Sequence, residues 1–540
     1  MSSAMIKPTL TYDPVTQEYY YACSREEKDI PKQCRMKWSA GNTAWKTKDW
    51  ALAMRAAELS GIGTAMFKEK LIKPPARLTL PDFLYDYQKE GIQTIVANKN
   101  LLLADEQGLG KTVQTIEALR YIDARRILVL CPASLKYMWQ EQFDQWSDNL
   151  PTQVVKNGKS TIAPPSNWEI PPYDPVQFNP EDEYPLTPVQ INGESRIIQP
   201  CNVVIANYDL VSKRYIYEQL RAWAPDMVIY DEAHYLKNPT SKRAKASFLL
   251  GANADRRLML TGTPMLNRPI ELYSILRFLK REAVEPYDNY KKYGYKFCNG
   301  KEGPFGFDVK GASCTDELNY RLKRTVMLRR LKADVLTDLP SKTMQIIPME
   351  QTKDTKKIVK QEGLFDVNKI LEKPDANLIG EMATIRRELG EAKLPQSISY
   401  IKDVMASGVE KVVVFAYHKA VCEGLYEAFK DDGAVLVYGG TASTDRQRYV
   451  DRFQKDADTK VFIGQIQAAG TGLTLTAASH VVFVENSWVP GEMDQAVDRC
   501  HRIGQNNKVT AQVLVVKDSI DHVIMRSMFF KKRRIKEVLK

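Results

Sequence analysis

Short, unbroken apolar runs recur along this chain in two separate blocks, with amphipathic segments between them. The first block holds LLLA (101–104), ILVLC (127–131), VVIAN (203–207), MVIYDE (227–232) and LMLTGT (258–263). The second holds KVVVFAY (411–417), AVLVYGG (434–440), KVFIGQ (460–465), HVVFVEN (480–486) and AQVLVV (511–516). Each run holds consecutive apolar residues, rather than one at every second position, with polar residues mostly at its ends. Such a run suits a strand covered on both faces, as in a parallel sheet wrapped by helices. Segments such as TVQTIEALRYI (112–122) supply the helical pattern between strands. The expectation is therefore an α/β chain built from two parallel-sheet halves.

The remaining segments fill out the layout. Residues 1–76 form a short, Trp-rich N-terminal module with 12 basic against 8 acidic residues. LTYDPVTQEYYYAC alternates like two strands around a turn at Asp13-Pro14. WKTKDWALAMRAAELSG predicts a helix capped near Thr47 or Asp49 and ended by Gly61. Residues 77–280 are expected to form the first lobe, with ten prolines marking a surface insertion over 151–200, a place for a hairpin. Residues 281–395 read as mostly helical, interrupted by the loop GKEGPFGFDVKG. Residues 396–540 form the second lobe and end in a basic helix, FFKKRRIKEVLK.

Composition narrows the function classes. The 540 residues carry 77 Lys and Arg against 66 Asp and Glu, a net charge of +11 that suits a polyanionic partner. The 8 cysteines include no C-x-x-C pair, which argues against a zinc site or a disulfide framework and for a reducing, intracellular setting. MSSAMIKPTL has no apolar core of a signal peptide, and no apolar run is long enough to span a bilayer.

Chemistry concentrates where the strands end. ADEQGLGKT (104–112) has Gly108, Gly110, Lys111 and Thr112 between a strand and a helix. That is the context in which backbone N–H groups cradle phosphate, a lysine neutralises it and a hydroxyl reaches Mg²⁺. Asp105 stands where such loops usually have their first glycine. MVIYDEAH sets Asp231 and Glu232 directly after a strand, one to hold a metal and the other to deprotonate water.

DEQGLGKT, DEAHYLKN and LTGTPMLNRPIELYSILRFL together resemble motifs I, II and III of the Swi/Snf-type DNA translocases of helicase superfamily two. That family carries Asp at position 105 and usually Met at the position of Gln107. LYDYQKEG resembles its adenine-reading segment, LCPASLKYMWQEQFDQW and IANYD its motifs Ia and Ib, and MLRRLKADVLTDLPSK its Arg-rich segment. VVVFAYHK resembles motif IV. Residues 465–505 resemble motifs V and VI almost continuously, so the resemblance runs from about residue 77 to residue 505.

This resemblance implies two RecA-like lobes with ATP and Mg²⁺ in the cleft between them. It assigns catalysis to Lys111, Asp231 and Glu232, with Arg499 and Arg502 as arginine fingers. Thr112 and Asp231 would hold the metal. Gln88, Gly108, Gly110, Lys111 and Thr112 would hold the nucleotide, and Gln495 and Gln505 would couple hydrolysis to cleft closure. Ser134, Lys136, Asn207, His418, Lys419 and Thr471 would line the DNA track.

Within the family, VENSWVPGEMDQAVDRCHRIGQ resembles the annealing-helicase (HARP-type) branch and its bacterial and phage relatives. DIPKQCRMKWSAGNTAWKTKDWALAMRAAEL resembles a small module found before such motors. Its Lys32, Arg35, Lys37, Trp38, Trp45 and Lys46 suit either a DNA-structure sensor or a small packed core. The expected function is a DNA-dependent ATPase that translocates on double-stranded DNA and remodels forks or joint molecules. A strand-separating helicase and an ATP-gated nucleic-acid-binding protein are the alternatives. The absence of long tails favours a bacterial or phage-infected cytoplasm, and a eukaryotic source would place the protein in the nucleus.

Overall fold

The structure is a computed structural model. It describes residues 8–539 apart from 14–15, 17, 25, 49, 62–72, 74, 148–149, 164–186, 192–193, 199–200, 266, 281–282, 304–305, 363–375 and 470–472. Thr471, expected on the DNA track, and Asp49, expected as a helix cap, lie outside the described residues, as does much of the Pro-rich segment.

The five runs of the first block form the middle of one seven-stranded sheet, to which Met327–Leu328 adds one edge and Thr152–Val154, from the segment expected as a surface insertion, the other. Its order is Met327–Leu328, Asn100–Leu103, Arg256–Leu260, Met227–Asp231, Ile127–Cys131, Val203–Asn207 and Thr152–Val154, with every neighbouring pair parallel. The Ile127–Cys131, Val203–Asn207 and Met227–Asp231 strands are buried at every position, as their unbroken apolar sequences require. The second block supplies five strands of a six-stranded sheet in the order Lys342–Met349, Val509–Val516, His480–Phe483, Val412–Ala416, Val461–Gln465 and Ala434–Val437, again all parallel. Helices cover both sheets, so each has an apolar core on its two faces.

Four strands fall inside the stretch that reads as mostly helical, and two of them join the large sheets. Met327–Leu328 adds an edge to the first sheet and Lys342–Met349 an edge to the second. Neither has a buried-strand sequence. The first is two residues long, and KTMQIIPM contains Pro348 and is largely exposed, both of which an edge strand tolerates. Helices Tyr290–Phe297, Thr315–Thr325 and Ala376–Ala392 fill much of the rest, and Lys301–Gly303 pairs with Gly306–Asp308 as a small hairpin. In the Pro-rich segment Thr187–Ile191 pairs antiparallel with Glu194–Ile198.

The N-terminal module is a four-stranded sheet with helix Trp50–Leu59, followed by Gly61 at φ +77°. It docks on helix Thr315–Thr325 through a buried charge cluster. Tyr19 Oη donates to Glu317 Oε2 at 2.7 Å, Lys296 Nζ lies 2.5 Å from that oxygen, and Arg321 Nε donates to Glu317 Oε1 at 2.8 Å. Tyr320 Oη adds a bond of 2.6 Å to Glu58.

Helix Ile520–Leu539 runs from one lobe to the other. Ile520, Ile524, Met525 and Met528 sit in the core of the second sheet, whereas Val538 and Leu539 sit in a core of the first. Asn319 Nδ2 secures the far end by donating to the Val538 carbonyl at 2.7 Å.

Candidate nucleotide site between the lobes

Ligands of parallel α/β sheets bind outside the carboxyl ends of the strands. Three adjacent strands of the first sheet end there with the expected motifs. Asn100–Leu103 leads into the loop, Met227–Asp231 into Glu232, and Arg256–Leu260 into Thr261-Gly262-Thr263. A cleft of about 250 Å³ lies above them, lined from the first lobe by Gly108, Gly110, Lys111, Thr112, Asp231 and Glu232. The second lobe contributes Thr474, Arg499 and Arg502 to the same cleft.

The loop's conformation explains its glycines. Gly108 and Gly110 have φ of +84° and +73°, a left-handed backbone that costs glycine nothing. Gly110 opens helix Lys111–Leu119, and a Cβ there would lie 2.5 Å from Gln88 Nε2. Gln88 therefore stands behind the loop rather than on the cleft wall. Its Oε1 accepts from the Tyr85 backbone N–H at 3.2 Å, within the first turn of helix Asp86–Ala97.

Lys111 Nζ donates to the carbonyls of Asp105, at 2.7 Å, and Glu106, at 3.2 Å. Burial pulls its pKa below the ordinary lysine value, while the carboxylates of Glu232, Asp105 and Asp231 oppose that shift. The unusual Asp105 is fully buried and anchors the Arg-rich segment. Its Oδ1 accepts from Arg330 Nε at 3.0 Å and its Oδ2 from Arg330 Nη2 at 2.5 Å, and Gln114 Nε2 adds a bond of 3.2 Å. Arg330 also donates to the Tyr87 carbonyl. The aspartate thus ties the end of the first strand to the segment that leads into the second lobe.

Asp231 and Glu232 sit in different environments. Asp231 Oδ2 accepts from the buried Trp139 Nε1 at 2.8 Å, and Oδ1 accepts from the Glu232 backbone N–H at 2.9 Å. Burial, then the neighbouring charge of Glu232, raise the Asp231 pKa. Glu232 has φ of +49°, a strained conformation for a residue with a side chain. Burial pushes its pKa up, but His234, Lys111 and Arg499 outweigh that and hold it below the ordinary glutamate value. It is therefore an anion at neutral pH. Its Oε2 makes no well-formed hydrogen bond and lies 3.2 Å from His234 Nδ1.

Motif VI closes the cleft from the other side. Arg499 Nη2 donates to Gln107 Oε1 at 3.1 Å. Arg502 Nη1 donates to Thr474 Oγ1 at 2.8 Å, and its Cβ would lie 3.0 Å from a Cβ at Gly108. Burial, with Arg499 beside it, lowers the Arg502 pKa to about 10. Gln495 Nε2 crosses between the lobes to Thr263 Oγ1 at 3.0 Å. Gln505 instead stays within the second lobe and donates to the carbonyls of Thr476, Ala478 and Cys500. A further link joins Lys332 Nζ to Asp498 Oδ1 at 2.9 Å.

The donor set fits a magnesium nucleotide. Cations from both lobes converge on one small volume, a glycine loop opens a helix toward it, and the Asp231 and Glu232 carboxylates border it.

The residues expected on the DNA track are more varied. Lys136 is buried and donates to the carbonyls of Val155, at 2.6 Å, and Lys156, at 3.4 Å, so its ammonium faces inward. His418 Nδ1 lies 2.6 Å from Glu485 Oε1, and its backbone N–H also donates to Glu485. Asn207 is buried at the end of its strand, and Ser134 is half-buried. Lys419 is exposed and lies 3.1 Å from Glu423.

Trp139, Gln107 and the Asp105–Arg330 pair carry site geometry that the motifs did not assign. Trp139 meets Asp231 across 92 positions of sequence, and Arg330 meets Asp105 across 225. Periodicity reports no contact of that range. The charged Asp105 in an otherwise apolar strand end was the available signal, because a buried carboxylate demands a cation.

The site's motifs find counterparts in known proteins. The SNF2-related domain matches residues 44–404, and the helicase conserved C-terminal domain matches residues 395–504. A SWI/SNF-related matrix-associated actin-dependent regulator of chromatin subfamily A-like protein 1 from Xenopus tropicalis is 33% identical over 448 residues, covering 81% of this chain and 43% of that protein. The DNA annealing helicase and endonuclease ZRANB3 of Homo sapiens is 32% identical over 468 residues, covering 84% and 40%. The chain thus spans under half the length of these relatives. The ATPase core of a Sulfolobus solfataricus SWI2/SNF2 protein, solved in complex with dsDNA, shares 22% identity over 87% of this chain and 95% of its own, with a TM-score of 0.37. With the SNF2-related domain matching residues 44–404 and both lobes facing one cleft, this chain belongs to the SNF2-related family of helicase-like ATPases.

Proposed function

We propose that the chain is a DNA-dependent ATPase that translocates on double-stranded DNA and remodels forks or joint molecules. One observation carries this reading: Arg499 and Arg502 of the second lobe reach the same cleft as Lys111, Thr112 and Glu232 of the first. Hydrolysis then requires the lobes to come together. Opening and closing of the lobes supplies motion along a track held by phosphate contacts, which carry no sequence information.

In this reading Lys111 moves from the loop carbonyls to the substrate's phosphates, and Arg499 and Arg502 stabilise charge on the transferred group. Glu232 orients the attacking water and takes its proton. Mg²⁺, held by Thr112 and Asp231, would neutralise phosphate charge when bound. The lobes comprise residues 77–280 and 396–540, with 281–395 between them apart from the edge strands each sheet borrows from it. Ser134, Asn207, Lys419 and Thr471 belong to the track, and the protein works where it meets DNA, in a bacterial or phage-infected cytoplasm or in a eukaryotic nucleus.

The test is ATP hydrolysis with no nucleic acid, single-stranded DNA, blunt duplex, forked DNA and RNA, at two salt concentrations. Duplex DNA is expected to raise turnover well above the basal rate. Glu232→Gln is expected to lower the stimulated kcat by about 10²–10⁴-fold while nucleotide still binds. No stimulation by any DNA, or an unchanged Glu232→Gln rate, would overturn the proposal. Strand displacement without preference for duplex would favour a strand-separating helicase.

The N-terminal module is the candidate fork sensor. Trp38 is 54% exposed and packs edge-on against Trp45 at 5.5 Å, with Lys32, Arg35 and Lys37 exposed nearby in sequence. Base stacking on such a ring is worth roughly 1–3 kcal/mol. Trp38→Ala should therefore bring stimulation by forked DNA down toward that by blunt duplex and leave the blunt-duplex rate unchanged. Equal loss on both substrates would remove the module from fork selection.

A further inference from the structure

Gln107 is the loop's polar departure from the methionine usual at this position, and the structure gives its amide two charged neighbours. Its Oε1 accepts from Arg499 Nη2 at 3.1 Å, and its Nε2 donates to Glu232 Oε1 at 3.4 Å. The side chain is buried, and its stem lies on Gly262, where a Cβ would come within 2.3 Å of Gln107 Cγ and 3.1 Å of the Gln107 backbone nitrogen. The stem therefore fits because position 262 has no side chain. Charge fixes the amide's orientation: its oxygen faces the guanidinium and its NH₂ faces the carboxylate. Turning it over would set donor against donor and acceptor against acceptor.

We infer that Gln107 is a positioning residue that aligns the Glu232 base and the Arg499 finger across the cleft. This rests on the reading of the cleft as an ATP-hydrolysis site. The Glu232 carboxylate and the Arg499 guanidinium attract one another, and the amide bonded to both sets where each is held. The amide bonds to Oε1 of Glu232, while Oε2 lies 3.2 Å from His234 Nδ1, so the carboxylate is held from both sides. It also makes the finger's placement depend on lobe closure, since Arg499 belongs to the second lobe and Gln107 to the first. Methionine offers no N–H donor and only a weak acceptor.

The experiment compares full-length wild type with Gln107→Met and Gln107→Glu, each alone and with Arg499→Ala, in DNA-stimulated hydrolysis and in equilibrium binding of a fluorescent ADP. Gln107→Met conserves volume and should lower kcat by ~10-fold, the worth of a hydrogen bond to a charged group. The KM for ATP and the ADP affinity should stay within about twofold, because the amide touches neither the loop's anion-binding backbone nor Lys111. The loss should vanish in the Arg499→Ala background, where the finger is already absent. Gln107→Glu keeps an acceptor for Arg499 but loses the donor to Glu232 and sets an anion against it, so it should lower kcat at least as much as Gln107→Met.

A Gln107→Met kcat equal to wild type would overturn the inference, as would a loss that multiplies fully with that of Arg499→Ala. A Gln107→Glu kcat equal to wild type would also overturn it. If wild type shows no DNA-stimulated hydrolysis, both this inference and the proposed function fall; if only the Gln107 variants behave like wild type, the function stands and this inference falls.

Discussion

Arg499→Ala lowers DNA-stimulated kcat by ~10³-fold, the lower end of what an arginine finger contributes, while nucleotide binding changes little. At about 1.4 kcal/mol per tenfold, that is roughly 4 kcal/mol of lost transition-state stabilisation. The size follows from the placement. The guanidinium is buried, its partners Glu232, Asp498 and Asp231 favour its charged form against the cost of burial, and it lines the same cleft as Lys111. Charge in a dry site acts far more strongly than charge in water. Arg499→Lys should recover little, since an ammonium cannot bond to Gln107 and substrate with a planar fork. Steady-state kinetics beside fluorescent-nucleotide binding checks this. A kcat within tenfold of wild type would show that the finger is another residue, with Arg502 next to test.

The second large effect is on stability. Asp105→Ala leaves Arg330 buried with its principal counter-charge gone. Breaking a buried pair by removing one partner costs about 3–5 kcal/mol. Arg330 retains the Tyr87 carbonyl, Gln114 Oε1 at 2.9 Å and Glu90 at 3.4 Å, which places the expected loss toward the lower end of that range. Urea unfolding followed by hydrogen exchange over residues 100–120 would show the loss in the first lobe. Replacing both partners by methionine should restore part of it, because no charge is then stranded. An unchanged unfolding midpoint for Asp105→Ala would mean that the pair is not a clamp.

The sequence carried much of this architecture for a physical reason. Strands buried on both faces have to be apolar throughout, and LLLA, ILVLC and VVVFA leave no other arrangement for a soluble α/β chain. The loop and the Asp231-Glu232 pair were legible because their chemistry needs residues adjacent in sequence. Lys342–Met349 was not legible, because an exposed edge strand has no reason to be apolar. Trp139, Gln107 and the role of Arg330 were hidden for a different reason. Each acts on a residue far along the chain, and a side chain's partner is set by the fold rather than by its neighbours. Lys136 shows the converse. A lysine in the right motif satisfies backbone carbonyls instead of facing outward.

Helix Ile520–Leu539 has a mechanical consequence. At 1.5 Å per residue its 20 residues span about 30 Å, and the helix makes a second attachment between the lobes besides residues 327–342. A rigid body fixed to another at two separated points keeps a single rotation, about the line through those points. Each turnover would then sweep the same arc, and the distance advanced would depend on how far the track lies from that axis. The N-terminal module sits on helix Thr315–Thr325, where the strut also lands, so in such a rotation it would stay with the first lobe. Shortening the strut would therefore alter stride length without touching a single group that meets the nucleotide.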